Sequence, residues 1–247
     1  MILSDIKNLY KTRDEVIEKK KQLPLAVLEK LEKSFVIEYT HNSTAIEGNT
    51  LSLAETKLVL EDKISVGGKS LREIHEIINH EKAYIFIGRQ IVQKQRLDEN
   101  ILKDIHQILM ENIMQGGIYR NCEVRITGAK HKPPSANEAY YQMKNFIADL
   151  YSKNIENVII SAAWTHAEFV KIHPFVDGNG RAARLVMNYR LMENGFLPVS
   201  ISQENRLKYY DVLENYALNG DIVPFSEMIF ELEKQRLQEY LEVSRSD

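Results

Sequence analysis

The fold of this chain is constrained most by an interruption. Ile159, Ile160, Ala162, Ala163, Trp164, Ala167, Phe169 and Val170 form an apolar run that reads as a buried helix, and it runs straight into Pro174. Proline has no amide hydrogen and biases the residue before it away from the helical region, so the helix should stop near Ile172. Helical spacing resumes through Leu185, Val186 and Leu191, which places the start of a second helix at about Asn179 or Gly180. The turn between them begins on His173, delivered from the end of a rigid element.

That turn has the parts of an anion site. Gly178 and Gly180 permit tight backbone geometry and close approach of a ligand, and the amides that open a helix favour negative charge. Arg181 and Arg184, three apart, fall on one face of the first turns of that helix. Each brings several fixed donors, and two such cations suit a polyphosphate better than a single phosphate. His173 can accept a proton near neutral pH, and Asp177 is a hard oxygen ligand suited to magnesium or manganese. Each residue alone has a plainer reading as a cap or a turn former; their concentration in one turn is what points to chemistry.

Composition narrows the classes. With 44% hydrophobic and 27% charged residues the chain reads as an ordinary globular protein, and a net charge of -3 makes no electrostatic case for nucleic acid as a main partner. The single cysteine, Cys122, excludes an intramolecular disulfide framework. Residues 1–21 mix charges among their apolar positions, unlike a signal peptide, and no segment has the uninterrupted length of a membrane span. A cytoplasmic location is the resulting expectation.

The remainder reads as a mostly helical set. Residues 5–20 form one helix, and Pro24 opens another through Leu25, Leu28, Leu31 and Phe35 to about Tyr39. The polar stretch 40–50 follows, in which Asn42 or Ser43 would cap a short helix ended by Gly48. Glu47 would then lie near a helix C-terminus, where a negative charge is disfavoured unless an external cation compensates it. In isolation the stretch is equally a solvated linker. Ser52 with Glu55 marks a further helix over 52–62, 65–70 is a connector, and helices follow over 70–88 and 98–112. His75 and His80 lack the close spacing of a metal pair and read as solvated or capping, and His106, among apolar positions, reads as structural. Gly116 and Gly117 break the pattern, and Ile118, Tyr119, Val124 and Ile126 predict two short strands, a hairpin closed by Thr127-Gly128 and Pro133-Pro134. Helices over 135–151, 157–171, 203–218 and 225–242 complete an all-α chain with one small β-hairpin.

The run His173-Pro174-Phe175-Val176-Asp177-Gly178-Asn179-Gly180-Arg181-Ala182-Ala183-Arg184 resembles the complete signature of the Fic domain. The hairpin region from Gly117 to Pro134 resembles that family's target-binding flap, with Ile118, Tyr119, Val124, Arg125 and Ile126 as its contact residues. Ser43-Thr44-Ala45-Ile46-Glu47-Gly48 resembles its intramolecular inhibitory motif, and the likeness spans most of residues 35–220. The resemblance implies a Fic-type helical fold and a protein adenylyltransferase that moves AMP from ATP to a Tyr, Ser or Thr hydroxyl of a target protein. Carried over by position, His173 is the base and Asp177 the magnesium (or manganese) ligand. Gly178, Asn179, Gly180 and Arg181 cradle the phosphates, Arg184 orders the γ-phosphate, and Ser43, Glu47 and Gly48 form the inhibitory element.

The same resemblance implies control within the chain, with no separate antitoxin subunit, auto-modification, and by analogy a homodimer that steadies the Glu47 helix. It divides the chain into an N-terminal helical region (1–65), a catalytic core (66–220) and a C-terminal helix (221–247). The last is too short for the winged-helix module of many longer relatives, so either that module is lacking or the sequence is a piece of a longer chain, and the case for a DNA-related role is weakened. The alternatives are removal of AMP from a modified protein, transfer of another phosphate-containing group, and a nucleotide-responsive regulatory binding protein.

Overall fold

The computed structural model describes residues 3–153 and 155–244. In chain order it contains α1 (Leu3–Lys20), α2 (Leu25–Ile46), α3 (Leu53–Lys57), α4 (Leu71–Val92), α5 (Glu99–Leu109), α6 (Ala136–Ser152), α7 (Val158–Ile172), α8 (Asn179–Met192), α9 (Arg206–Asn219) and α10 (Val223–Val243). One π-helical turn (Leu58–Asp62) extends α3, and a 3-10 turn (Gln203–Asn205) leads into α9. Several helix starts are written locally: Ser52, Ser70 and Ser135 each accept from the amide three residues on, and Glu55, Glu73 and Glu138 reach back to complete capping boxes. No helix among the described residues is long and apolar enough to cross a membrane.

α7 and α8 form the centre, packed against one another. Ile159, Ala162, Ala163, Phe169, Ala182, Ala183, Leu185, Val186 and Leu191 are fully enclosed. α6, α9 and α10 cover α7, while α4, α5 and α2 lie against α8. The main hydrophobic cluster takes Leu9 and Val16 from α1 and Leu237 and Tyr240 from α10, so both ends of the chain contribute to one core. α8 is buried around its whole circumference although it carries Asn179, Arg181, Arg184, Asn188 and Arg190. Buried polar groups of this kind are tolerated only when partnered, and their partners define the site below.

Two expectations are corrected. The hairpin does not exist: among the described residues there is no strand, and residues 118–134 form irregular loop and turns. Val124 and Ile126 are half-buried on either side of exposed Arg125, so the alternation is present. Alternation, however, specifies only which side chains turn inward; a strand also needs a ladder of backbone hydrogen bonds to a partner. The second arm supplies none, carrying Pro133 and Pro134 instead, and the segment is pinned through side chains. The second correction concerns residues 40–46. They are the last two turns of the 22-residue α2, not a separate short helix or a solvated linker. Their polar groups face inward: Thr44 Oγ1 donates to Thr40 O (2.8 Å), and Asn42 Nδ2 donates to Ser200 Oγ (3.0 Å).

Candidate active site

His173 ends α7 in the left-handed conformation, with φ 53°, an uncommon place for a residue with a β-carbon. Arg120 holds it there. Its Nε donates to His173 O (2.8 Å) and its backbone amide to Pro174 O (2.9 Å). Nη1 and Nη2 donate to Cys122 O (3.0 Å) and Pro134 O (2.5 Å), so one guanidinium staples both arms of the 118–134 loop to the histidine. Arg120 is buried. Arg120→Met should therefore strand three carbonyls and destabilise the protein by about 3 kcal/mol in denaturant titrations, against no measurable change for exposed Arg125→Met. Equal effects of the two substitutions would contradict this role.

The loop after His173 is fixed from below. Phe175 stacks on His106 with ring centroids 3.5 Å apart and nearly parallel planes, and Tyr119 tilts against the same ring with centroids 5.4 Å apart. His106 Nδ1 accepts from the Gly117 amide (2.9 Å), so the proton belongs on Nε2, which donates to Asp177 O (2.9 Å). Burial drives its pKa down to about 4, consistent with a neutral ring. Asn179 closes the loop with a reciprocal pair: its Oδ1 accepts from Phe175 N and its Nδ2 donates to Phe175 O, both at 2.9 Å. Its side chain is thus engaged in shaping the loop. Gly178 needs its lack of a side chain, since φ is +75° and an added Cβ would strike Met110.

At the start of α8 the structure brings together residues more than a hundred positions apart. Arg184, 1% exposed, donates from Nη2 to Glu47 Oε1 (2.8 Å) and to Ser43 O (2.7 Å), from Nε to Ser43 Oγ (2.9 Å) and from Nη1 to Tyr209 OH (3.1 Å). Glu47 lies directly over the first turn of α8, where a Cβ at Gly180 would collide with its Oε1. A carboxylate therefore rests where helix amides and a buried guanidinium converge, the position an anionic ligand would favour. The disfavoured charge at the end of α2 has its external cation. Gly48, with φ +101°, turns the chain away immediately afterwards.

Arg181, 2% exposed, lies 3.3 Å from Glu76 Oε1 and 3.5 Å from Asp177 Oδ1, yet its Nε and Nη1 make no hydrogen bond. Asp177 also receives its own loop through Gly178 N (2.6 Å) and pairs with Arg72 Nη2. Burial pushes the Asp177 carboxyl up, but Arg181, the Gly178 amide and Arg72 together hold it below its ordinary value. Burial likewise opposes the charge on Arg184, and Tyr209 and Glu47 more than offset it, raising its pKa. Burial lowers His173 to about 4; the Val170 carbonyl opposes this, Arg120 reinforces it, and Glu47 acts upward again. His173 Nδ1 is shut off from solvent, so proton exchange with a ligand falls to Nε2.

These residues fit a divalent cation only together with an anion. Among the described residues no three His, Cys, Asp or Glu side chains converge, and Asp177 offers a single carboxylate. Magnesium is commonly held by one or two carboxylates plus substrate phosphates, and the unpartnered donors of Arg181 would meet such phosphates. Of the loop residues named from the sequence, Tyr119 packs on Phe175, while Ile118 and Arg125 are exposed. Sequence reasoning did not find Arg120, Arg72, Glu76 or Tyr209, and gave His106 no part in the site. Arg120 contacts backbone carbonyls, and Arg72 meets Asp177, Glu76 meets Arg181 and Tyr209 meets Arg184 across distant parts of the chain; the four-residue spacing of Arg72 and Glu76 on α4 marks by itself only a helix-surface ion pair.

Residues 96–191 match the Fic/DOC family model. The chain is 34% identical over 246 residues to protein adenylyltransferase Fic of Drosophila erecta, covering 96% of this chain and 49% of that protein. It is 38% identical over 221 residues to protein adenylyltransferase Fic of Aedes aegypti, covering 87% and 43%. The chain thus spans about half the length of these relatives or less. Among solved structures it resembles Fic-1 from C. elegans, with a TM-score of 0.87 and 27% identity over 98% of this chain and 72% of that one. A Fic domain-containing signaling protein from Bacteroides thetaiotaomicron has the same fold, with a TM-score of 0.87 and 24% identity over 98% and 97% of the two chains.

Proposed function

We propose, from the match of residues 96–191 to the Fic/DOC family model, that this chain is a Fic protein adenylyltransferase, moving AMP from ATP to a Tyr, Ser or Thr hydroxyl of a protein and restrained by its own Glu47. The observation that carries this reading is the placement of the Glu47 carboxylate on Arg184 and the opening turn of α8, beside the loop that begins at His173.

The reaction follows from the groups present. Arg181, Arg184 and the amides opening α8 bind the phosphates and take up the charge that grows on them as pyrophosphate leaves. His173 Nε2 takes the proton of the attacking hydroxyl, held in place by the αL backbone that Arg120 braces. When bound, a magnesium or manganese ion would supply charge neutralisation at the phosphates, with Asp177 as its protein ligand. Tyr119 and its loop form the wall beside Phe175 against which the target segment would be presented. While Glu47 holds Arg184, the terminal phosphate lacks its guanidinium and meets a carboxylate instead. Nucleotide then binds with its α-phosphate out of line.

Labelled ATP incubated with cell lysate and either wild type or Glu47→Gly tests the activity, followed by mass analysis of labelled proteins. An AMP adduct that grows in the variant supports the reading, and a phosphate adduct or no adduct rejects it. The low His173 pKa adds a pH expectation. The imidazole loses its basic form only as pH falls through about 4, well below the ordinary 6.5. Transfer by Glu47→Gly should stay level from pH 8 to 6 and decline below about pH 5. An acid limb centred near 6.5 would show that the site does not depress this histidine.

A further inference from the structure

Arg72 sits in the second position of α4, and its side chain is 56% exposed. Its Nη2 pairs with Asp177 Oδ2 and its Nε donates to Glu76 Oε1 (3.2 Å). Glu76 Oε1 also faces Arg181 Nη1 at 3.3 Å, and Arg181 Nη2 faces Asp177 Oδ1 at 3.5 Å. Two guanidinium groups and two carboxylates therefore alternate around a closed ring, in which every charge has opposite neighbours. Arg181 and the inner edge of the ring are enclosed, whereas Arg72 forms its outer, solvent-facing side. The ring reaches the Glu47 turn as well: Glu76 Oε2 accepts from Asn49 Nδ2 (3.0 Å), two residues beyond Glu47, and the Asn49 amide donates to Thr44 O (3.1 Å).

We propose that Arg72 is a latch on Asp177, an internal cation that occupies the carboxylate until a divalent metal arriving with nucleotide displaces it. This deepens the reading of Asp177 as the metal ligand and rests on it. One Asp177 oxygen, Oδ2, is covered by Arg72, and Oδ1 already accepts from the Gly178 amide and faces Arg181. A metal must take an oxygen from one of them. Arg72 is the partner able to leave, because its side chain is exposed and can swing into water without burying an unpaired charge. Departure of Arg181 would bury one. Arg72 therefore sets how much free metal the site needs, and the Asn49–Glu76 bond ties the closed ring to the turn that carries Glu47.

The test reads metal uptake and not turnover. Free Mn2+ would be followed by electron paramagnetic resonance during titration of the full chain with a non-hydrolysable ATP analogue, for wild type, Arg72→Ala, Arg72→Gln and Asp177→Asn. Surface ion pairs are modest, so removing the charge at Arg72 should lower the Mn2+ concentration for half-saturation about fivefold. Arg72→Gln, which retains hydrogen-bonding capacity, should shift it in the same direction. Asp177→Asn should weaken uptake at least tenfold. Unchanged or weaker uptake in both Arg72 variants, with Asp177→Asn still impaired, would overturn the latch alone, and weaker uptake would mark Arg72 as a phosphate ligand. Unimpaired uptake in Asp177→Asn would overturn both the latch and the assignment of the metal ligand.

Discussion

Replacing Glu47 by glycine should raise AMP transfer about 100-fold, the equivalent of roughly 2.7 kcal/mol in barrier. Arg184 is almost wholly buried, and Glu47 is the one carboxylate within ion-pair distance of it among the described residues. A charge-assisted bond in such surroundings is worth more than its exposed counterpart, and a phosphate that needs the same guanidinium must first displace it. Removing the carboxylate leaves Ser43 and Tyr209 still orienting Arg184, so the donor is freed without being released. The glycine is also tolerated locally, because position 47 caps α2 and does not lie within it. Glu47→Gln, which keeps the shape and loses the charge, should fall between the two in a labelled-ATP assay. Equal rates for all three proteins would remove Glu47 from control.

Alanine at His173 should undo that gain. In the Glu47→Gly background, Glu47→Gly with His173→Ala should lose about 10³-fold in single-turnover transfer, within the range for a positioned general base. Nucleotide affinity measured by calorimetry should change little, because in the proposed site the phosphates would rest on Arg181, Arg184 and the α8 amides. The pairing of lost turnover with preserved binding matters, since His173 also stands at a strained corner of the backbone. A double variant that retained a tenth or more of the activity would mean that another group accepts the proton. A variant that lost nucleotide binding as well would mean that the imidazole had been holding the loop.

Much of this arrangement is local, and what is local is legible. Pro174 predicts the end of α7 at Ile172, and the spacing of Arg181 and Arg184 predicts that both face the ligand end of α8. The capping pair Ser52 and Glu55 marks the start of α3. The meeting of Ser43 and Glu47 with Arg184 is different, because it joins residues 141 and 137 positions apart. Nothing in the spacing of either stretch dictates that approach; the misplaced charge of Glu47 at a helix end asks for a cation from elsewhere, and only the resemblance of residues 43–48 to an inhibitory motif points to Arg184 as that cation. Arg120 was invisible for another reason. Its four contacts are to backbone carbonyls, which every residue carries, so no complementary side chain signals them. The hairpin error has a similar root, since a period of two reports which side chains are covered and says nothing of whether a second strand lies alongside.

The most direct test of the central claim is a pair of crystal structures with a non-hydrolysable ATP analogue and magnesium, one of wild type and one of Glu47→Gly. In wild type Arg184 should still hold Glu47 and the α-phosphorus should lie away from His173 Nε2. In the variant the terminal phosphate should occupy the vacated place on Arg184 and the α-phosphorus should face Nε2. Identical nucleotide poses in the two structures, with the Glu47–Arg184 pair intact in wild type, would contradict the account.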